Sequence, residues 1–391
     1  MTTFLLRRIL ALPPLLAAIS VFTYLLLGLS GRDYFAKLEE DPKVTQDYVM
    51  ALRASVGKVV AVDPRDRARE IGTFTGADGG PQFSFDAEGN LLKDGVATDA
   101  RHEQQHVKHF TAHGEAYTVT QQGKVYRWVG AVRGYFAWLS RAARGDLGES
   151  YQYKKSVGDV IADKVWNTLK LSLVALVIAW GLAIPLGVWS GTRPNSVVDH
   201  ACGAVAYFGL SIPTVFLALL AVLFAYYTGW FPVGGMRDLV AWDRMTTGQR
   251  LVDSAHHLVL PAAVIGFSSM AGYMRQMRGQ MVETMSADYV RTARAKGVAT
   301  RTVTYRHALR NAINPLLTLL GFSIAGLLSG SFLVEVVMNW PGLARVVVDA
   351  VFARDEPLVM ASVLVAALML VVGNFLADVL LAIADPRIRL E

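Results

Sequence analysis

The sequence predicts an all-α polytopic membrane protein of six transmembrane helices, with a small extracytoplasmic α+β insert between the first and the second. Three observations lead there. Of 391 residues, 53% are hydrophobic and 18% charged, and the apolar residues are clumped. The stretches Ile9–Gly31, Leu171–Thr192, Ala201–Met236, Leu258–Met274, Asn311–Val334 and Pro357–Ala377 contain no Asp, Glu, Lys or Arg, and roughly 20 mainly apolar residues cross a bilayer as a helix. The segment from Arg32 to Lys164 differs in kind, with 19 basic and 19 acidic residues and clusters such as Gly76-Ala-Asp-Gly-Gly80. Six apolar runs in one chain find no room in a water-soluble core, so a soluble enzyme is excluded.

Taken in order, residues 1–31 read as a transmembrane helix preceded by Arg7 and Arg8. Leu29-Ser-Gly-Arg32 lacks an Ala-x-Ala type cleavage site, so this run reads as an anchor, not a cleaved signal. With Arg7 and Arg8 inside, residues 32–164 fall outside, the loop Arg193–His200 inside, and Arg237–His257 outside. The stretch 275–310 then lies inside, Glu335–Glu356 outside, and the tail Asp385–Glu391 inside. Short basic loops stay in the cytoplasm, and 275–310 holds Arg275, Arg278, Arg291, Arg294, Lys296, Arg301, Arg306 and Arg310 against Glu283 and Asp288. The net charge of +6 is therefore a mark of topology, not of nucleic-acid binding. Cys202 is the single cysteine, which excludes an internal disulfide framework.

Within the insert, Phe83-Ser-Phe85 with the turn Asp86–Asn90, and Tyr117–Thr120 with Gln121–Gly123 and Lys124–Tyr126, read as strand-turn units. Tyr117, Tyr126 and Trp128 alternate on a short strand, which fits either an exposed contact surface or the domain core. His102-Glu-Gln-Gln-His106 matches H-E-x-x-H, where two histidines one helical turn apart bind zinc and Glu103 activates water. His109 and His113 extend that spacing. The metzincin continuation requires Gly at 109 and His at 112, and the sequence has His109 and Ala112. A solvated amphipathic helix is the favoured reading, and a membrane-anchored zinc metallopeptidase using His102, Glu103 and His106 the rival. No Gly-x-x-x-x-Gly-Lys-Ser/Thr, Gly-x-Ser-x-Gly or CxxC occurs, so the chain has no P-loop of its own.

The most informative stretch is Asp288-Tyr-Val-Arg-Thr-Ala-Arg-Ala-Lys-Gly297 followed by Arg306-His-Ala-Leu-Arg-Asn-Ala312, a basic helix-turn-helix with Gly297 at the bend. It resembles the cytoplasmic coupling segment in the permease subunits of dipeptide and oligopeptide ABC importers of the Opp/Dpp B type. Gly145-Asp-Leu-Gly-Glu-Ser150, Ser211-Ile-Pro213, Trp340-Pro-Gly-Leu343, Arg354-Asp355 and Asp385-Pro-Arg387 follow the same family in order, and the loop Pro232–His257 looks most like its Yej-like branch. Departures are Arg291 and Thr292 where the general importer pattern has Glu-Ala, Ala344 where Gly is usual, and Glu356 where an aromatic is usual. Shorter members have no counterpart of Ser55–Val125.

The resemblance implies the type I permease fold and a transport subunit with no catalytic residue of its own. ATP and Mg would be bound by two partner ATPase subunits or domains. A homologous second permease and an extracytoplasmic solute-binding protein complete the assembly, in a bacterial inner membrane with both termini cytoplasmic. It assigns ATPase coupling to Asp288, Tyr289, Arg291, Ala293, Lys296, Gly297, His307 and Arg310. The core is then 165–391. Dipeptides, longer peptides, peptide-like antibiotics and nickel chelates are all handled by relatives.

Inside the helices, Pro185, Pro213 and Pro315 each remove a backbone hydrogen bond. Gly187-x-x-x-Gly191 and Gly326-x-x-x-Gly330 permit close approach of helices. Ser211, Pro213, Glu335, Asn374 and Asp378 are candidates for the translocation path or for helix kinks. A carboxylate at mid-membrane costs roughly 2.5–3.5 kcal/mol, so Asp378 is expected to face protein or water, as a packing anchor or a pathway residue.

Overall fold

The computed structural model describes residues 2–29, 34–39, 44–76 and 80–384, so the motif Asp385-Pro-Arg387 lies outside the described residues. The chain forms two compact units. One is Met1–Ala18, Ile161–Asp349 and Ser362–Glu391; the other is Ile19–Val160 with Ala350–Ala361. Helix α1 (Thr2–Leu29) is followed by α2 (Tyr34–Glu39) and α3 (Gln46–Ser55), strand β1 (Val59–Ala61), helix α4 (Pro64–Ile71), and strands β2 (Phe74–Thr75), β3 (Gln82–Phe85), β4 (Leu91–Lys93) and β5 (Val96–Ala97). The single turn α5 (Gln104–Val107) leads to β6 (Phe110–Ala112), β7 (Glu115–Val119), β8 (Val125–Trp128), α6 (Ala131–Ala142), and the pair β9 (Glu149–Ser150) and β10 (Lys155–Ser156). Then come α7 (Val157–Gly191), α8 (Val197–Ser211), α9 (Thr214–Thr228), α10 (Thr247–Ser286), α11 (Asp288–Ala295) and α12 (Thr300–Thr302). A π-helical turn, Val303–Ala308, precedes α13 (Leu309–Ala312), α14 (Asn314–Val337), α15 (Leu343–Ala353) and α16 (Glu356–Ala384).

The unit containing the insert is built on two antiparallel four-stranded sheets, β1-β8-β7-β6 and β2-β3-β4-β5. Asp86 closes the β3–β4 hairpin by accepting the Asn90 N–H at 2.7 Å. Gly89 beside it has φ +83, and a Cβ there would lie 2.5 Å from the Pro64 carbonyl oxygen. Phe74, Phe83, Phe85, Phe110 and Tyr117 share one core, with Phe74 and Phe110 stacked at 3.7 Å. Tyr117 and Tyr126 are 2% and 5% exposed. This settles their open reading in favour of the core. Trp128 is half-buried and donates its indole N–H to Thr118 Oγ1 at 2.9 Å.

The helix expected to carry His102, His106, His109 and His113 does not form. His102 and Glu103 lie in a turn before α5, which is one turn long, and His113 sits at φ +51 in the β6–β7 hairpin. The histidines therefore share no helix face, the physical requirement of the zinc reading. Buried Glu103 pairs with Lys93 at 2.9 Å instead. Among the described residues no group of three His, Cys, Asp or Glu side chains is placed to hold a metal ion.

Two sequence motifs meet in this unit. Asp355, fully buried, accepts the Ser150 hydroxyl at 2.5 Å, the Gln152 N–H at 3.1 Å and the Leu358 N–H at 3.2 Å, so it caps the first turn of α16. Arg354 beside it takes φ +56. Gly148, at φ +83, leaves only 3.1 Å between a would-be Cβ and that of Ser55. Glu356, the departure from the usual aromatic, pairs with Lys58 of the insert at 2.8 Å.

Among the described residues, α7, α10 and the stretch Glu356–Phe375 of α16 are long and apolar enough to cross a membrane, and α8 with α9 is a fourth candidate bent by 103°. The bend falls at Ser211-Ile-Pro213. Ile212, which precedes the proline, is extended (φ −91, ψ 122), and Pro213 is the N-cap of α9, as the clash of a proline ring with a preceding helical residue dictates. Pro315 likewise sits in the first turn of α14, where its missing N–H has no partner to lose. Among the described residues the prolines inside helices are Pro13, Pro14, Pro185 and Pro261, and two of the three positions read as interior from sequence are helix starts.

Burial raises the Asp355 carboxyl above the usual carboxylate range, against the hydrogen bonds it accepts. The stability associated with this group is then fully present below about pH 4, the unfolded value, and is lost as pH rises through the folded value. Asp355→Asn should remove that dependence, so its melting temperature relative to wild type should rise between pH 4 and 7. A constant difference across that range would contradict it.

Candidate coupling surface

The segment from Asp288 to Ala312 is a two-faced element. Val290, Ala293, Val298, Val303, Ala308, Leu309 and Ala312 pack on Met277 and Met281 of α10, Val188 of α7 and Leu316 of α14. Each fully buried valine contributes about 1.5–3 kcal/mol relative to exposure, which fixes this face against the helices. Arg291, Arg294, Lys296, Arg301, Arg306 and Arg310 point outward with Tyr289 and Tyr305, leaving Asp288 as the exposed acid of the segment. The outer face is therefore strongly cationic.

Gly297 makes the bend by a specific device. It has φ +76, its N–H donates to the Arg294 carbonyl at 3.0 Å, and the Val298 N–H donates to the Ala293 carbonyl at 3.2 Å. This pair of hydrogen bonds, with Val298 packed beside Ala293, is the Schellman ending of α11. A Cβ on Gly297 would meet nothing within 4 Å. The demand for glycine is one of backbone conformation, not of space.

Other expected residues are placed as follows. Asp288 opens α11 and lies 3.5 Å from Arg291. Tyr289 accepts a hydrogen bond from Asn311 Nδ2 at 2.9 Å, which clasps the two halves of the segment together. Ala293 belongs to the packed face, Lys296 follows α11 on the outside, His307 is half-buried in the π-helical turn, and Arg310 is exposed. Ser211 and Pro213 sit at the bend between α8 and α9, where Thr214 and Ser268 hydroxyls meet at 3.0 Å. Asn374 is half-buried on α16, and the Asp378 side chain lies outside the described residues.

Glu335 is fully buried and committed to a lock around Trp340-Pro-Gly-Leu343. Its carboxylate accepts the Thr168 hydroxyl at 2.8 Å and the Ala344 N–H at 2.9 Å, and Thr168 in turn accepts the Leu343 N–H at 2.8 Å. Trp340 donates its indole N–H to the Asn167 carbonyl at 3.1 Å. Gly342 has no room for a side chain, because a Cβ would lie 2.6 Å from Thr168 Oγ1. The motif is a helix-capping lock.

Sequence reasoning missed Asn311 as the clasp, and it missed the pairing of Asp199 with Arg278, whose Nε and Nη2 donate to the two carboxylate oxygens at 2.5 and 2.7 Å. The sequence reading counts Arg278 only for its charge and Asp199 only as part of the loop Arg193–His200, and nothing local in the sequence pairs them.

A polytopic helical chain bearing such a segment belongs to a class of transport subunit. Residues 183–390 match the family described as binding-protein-dependent transport system inner membrane component, and the chain belongs to that family. It is a multi-pass subunit of the inner membrane, and not itself an enzyme. Over 257 residues it is 40% identical to the oligopeptide transport system permease protein AppB of Bacillus subtilis, covering 65% of this chain and 79% of that one. Over 271 residues it is 34% identical to the dipeptide transport system permease protein DppB of Escherichia coli K12, covering 65% and 80%. Among solved structures, the inward-facing MetNI methionine ABC transporter aligns with 58% of this chain and 96% of its own, at 17% identity and a TM-score of 0.45.

Gly297→Ala should destabilise this turn by about 1–2 kcal/mol, the cost of a left-handed conformation for a residue with a Cβ. Amide exchange of residues Lys296 to Thr300 should quicken while that of α10 stays unchanged. Equal exchange in both proteins would show that the turn does not depend on glycine.

Proposed function

We propose that this chain is the membrane half-channel of an ATP-driven importer for peptides or peptide-like solutes, with six spans and both ends cytoplasmic. The observation that carries this is the two-faced segment Asp288–Ala312: an apolar face fixed on α7, α10 and α14, and a cationic face left for another protein. Identity to permeases named for oligopeptide and dipeptide transport supports the peptide class. A homologous permease completes the path, two ATPase subunits or domains hold ATP and Mg, and an extracytoplasmic binding protein delivers solute. The stretch 275–310 belongs to the core 165–391, and residues 32–164 form the extracytoplasmic insert after the anchor 1–31.

In this mechanism, closure of the ATPases displaces the segment through Asp288, Tyr289, Arg291, Lys296, Gly297, His307 and Arg310, with Ala293 seating it. The rigid element switches the central path between outward and inward access. ATP shifts that equilibrium only by the difference in its binding to the two states. Ser211 and Pro213 bend a span beside the path, and Asn374 and Asp378 lie on the inner half of the last one.

Copurification of the intact complex with bound solute, read by mass spectrometry, tests the assignment directly: peptides with two ATPases are expected, and a chain that copurifies with no ATPase would refute it. Gly297→Val should leave the protein in the membrane and lower uptake per ATP hydrolysed; unchanged uptake would remove Gly297 from the coupling element. Replacing His102, Glu103 and His106 together by Ala should leave uptake at the wild-type level with normal expression, whereas lost uptake would give those residues a role in transport.

A further inference from the structure

We infer that the ion pair between Asp199 and Arg278 transmits movement of the coupling segment to the broken span α8–α9, which makes both of them positioning residues of the transport cycle. The inference rests on the function proposed above. Asp199 of α8 is 6% exposed, and its carboxylate gathers groups from two other helices and a loop. Oδ1 accepts the Ser190 hydroxyl of α7 and Arg278 Nε of α10, each at 2.5 Å. Oδ2 accepts Arg278 Nη2 at 2.7 Å and the Asn195 N–H of the loop at 2.9 Å.

Arg278 lies on the same helix as the seat of the coupling segment. Met277 and Met281 flank it and carry Val290, Val303 and Ala308, and α10 runs unbroken to Ser286, one residue short of α11. A push on the segment therefore reaches Arg278 through its packed contacts on Met277 and Met281 of the same helix.

Along this stretch Val198, Cys202 and Ala206 of α8 share one apolar cluster with Met270, Ala271 and Met274 of α10, a packing that fixes no direction. A cavity of about 540 Å³ opens there, lined by Asp199, Cys202, Ala206, Met274, Arg275 and Arg278. Nearer the bend the approach is tighter still, and a Cβ on Gly209 would lie 3.1 Å from that of Ala271. The start of α8 is thus tied to α10 by a two-bond fork of fixed geometry, which resists rotation as well as separation. Loss of the fork leaves α8 on α10 by apolar contact alone, without the directional bonds that carry a displacement of α10 to Asp199.

The test uses the complete transporter, with its ATPases and binding protein, in proteoliposomes, and a radiolabelled di- and trialanine mixture as the probe. Asp199→Asn should assemble with ATPases in the wild-type ratio and hydrolyse ATP, while peptide imported per ATP falls about fivefold or more. Arg278→Lys, which keeps the charge but not the fork, should fall between. A proportional loss of hydrolysis and import, or an unchanged ratio, would overturn the inference in favour of a merely structural pair. Should Asp199→Asn fail to assemble, Arg278→Lys and Ser190→Ala decide the matter by the same ratio. Wild-type complex that imports no peptide with the binding protein present would refute the proposed function, and this inference with it.

Discussion

The close approach of α7 and α10 is the constraint on which the permease unit depends. A Cβ on Gly187 or Gly191 would come within 2.6 Å of the Cβ of Met277 or Met281, and one on Gly266 within 2.8 Å of Ile178. Membrane helices gain little from hydrophobic transfer against one another, so shape and a few polar bonds must hold them. The three glycines provide the shape along the length of the contact. The coupling segment then packs where the two helices already meet, on Val188, Met277 and Met281.

The motifs that look like family signatures turn out to be polar locks at helix ends. Glu335, Thr168 and Trp340 close the turn into α15, and Asp355 with Ser150 closes the turn into α16. In both, a buried carboxylate satisfies N–H groups at the start of a helix that would otherwise be unpaired. Fixed residue types follow from that, since an apolar replacement leaves several donors without partners at once. At the start of α8 the cap is Ser196, whose hydroxyl accepts the Asp199 N–H, while the Asp199 carboxylate holds the Asn195 N–H of the preceding loop and Arg278.

Much of this was legible in the sequence. Charge-free runs announced the apolar helices and Gly297 announced a left-handed turn, because each signal acts within a few residues of itself, whereas Pro213, read inside a span, starts α9. Hairpins at Asp86–Asn90 and Gln121–Gly123 were readable for the same reason. What failed depended on contacts far apart in the chain. Ser150 and Asp355 are separated by 205 positions, and Arg278 and Asp199 by 79, so no local pattern pairs them. The H-E-x-x-H match misled in the opposite way: its meaning requires a helix, and tertiary packing of Glu103 against Lys93 put a turn there.

The salt bridge from Lys58 to Glu356 bears on modularity. Residues that look like an insertion are bonded to the first turn of α16, through Lys58 on Glu356 and Ser150 on Asp355. Deleting 55–125 would leave Glu356, a buried acid, without its Lys58 partner. Transplanting this segment into a shorter relative would accordingly require Ala350–Ala361 to travel with it, and restoring the aromatic at 356 is the matching change for a chain from which the segment is removed.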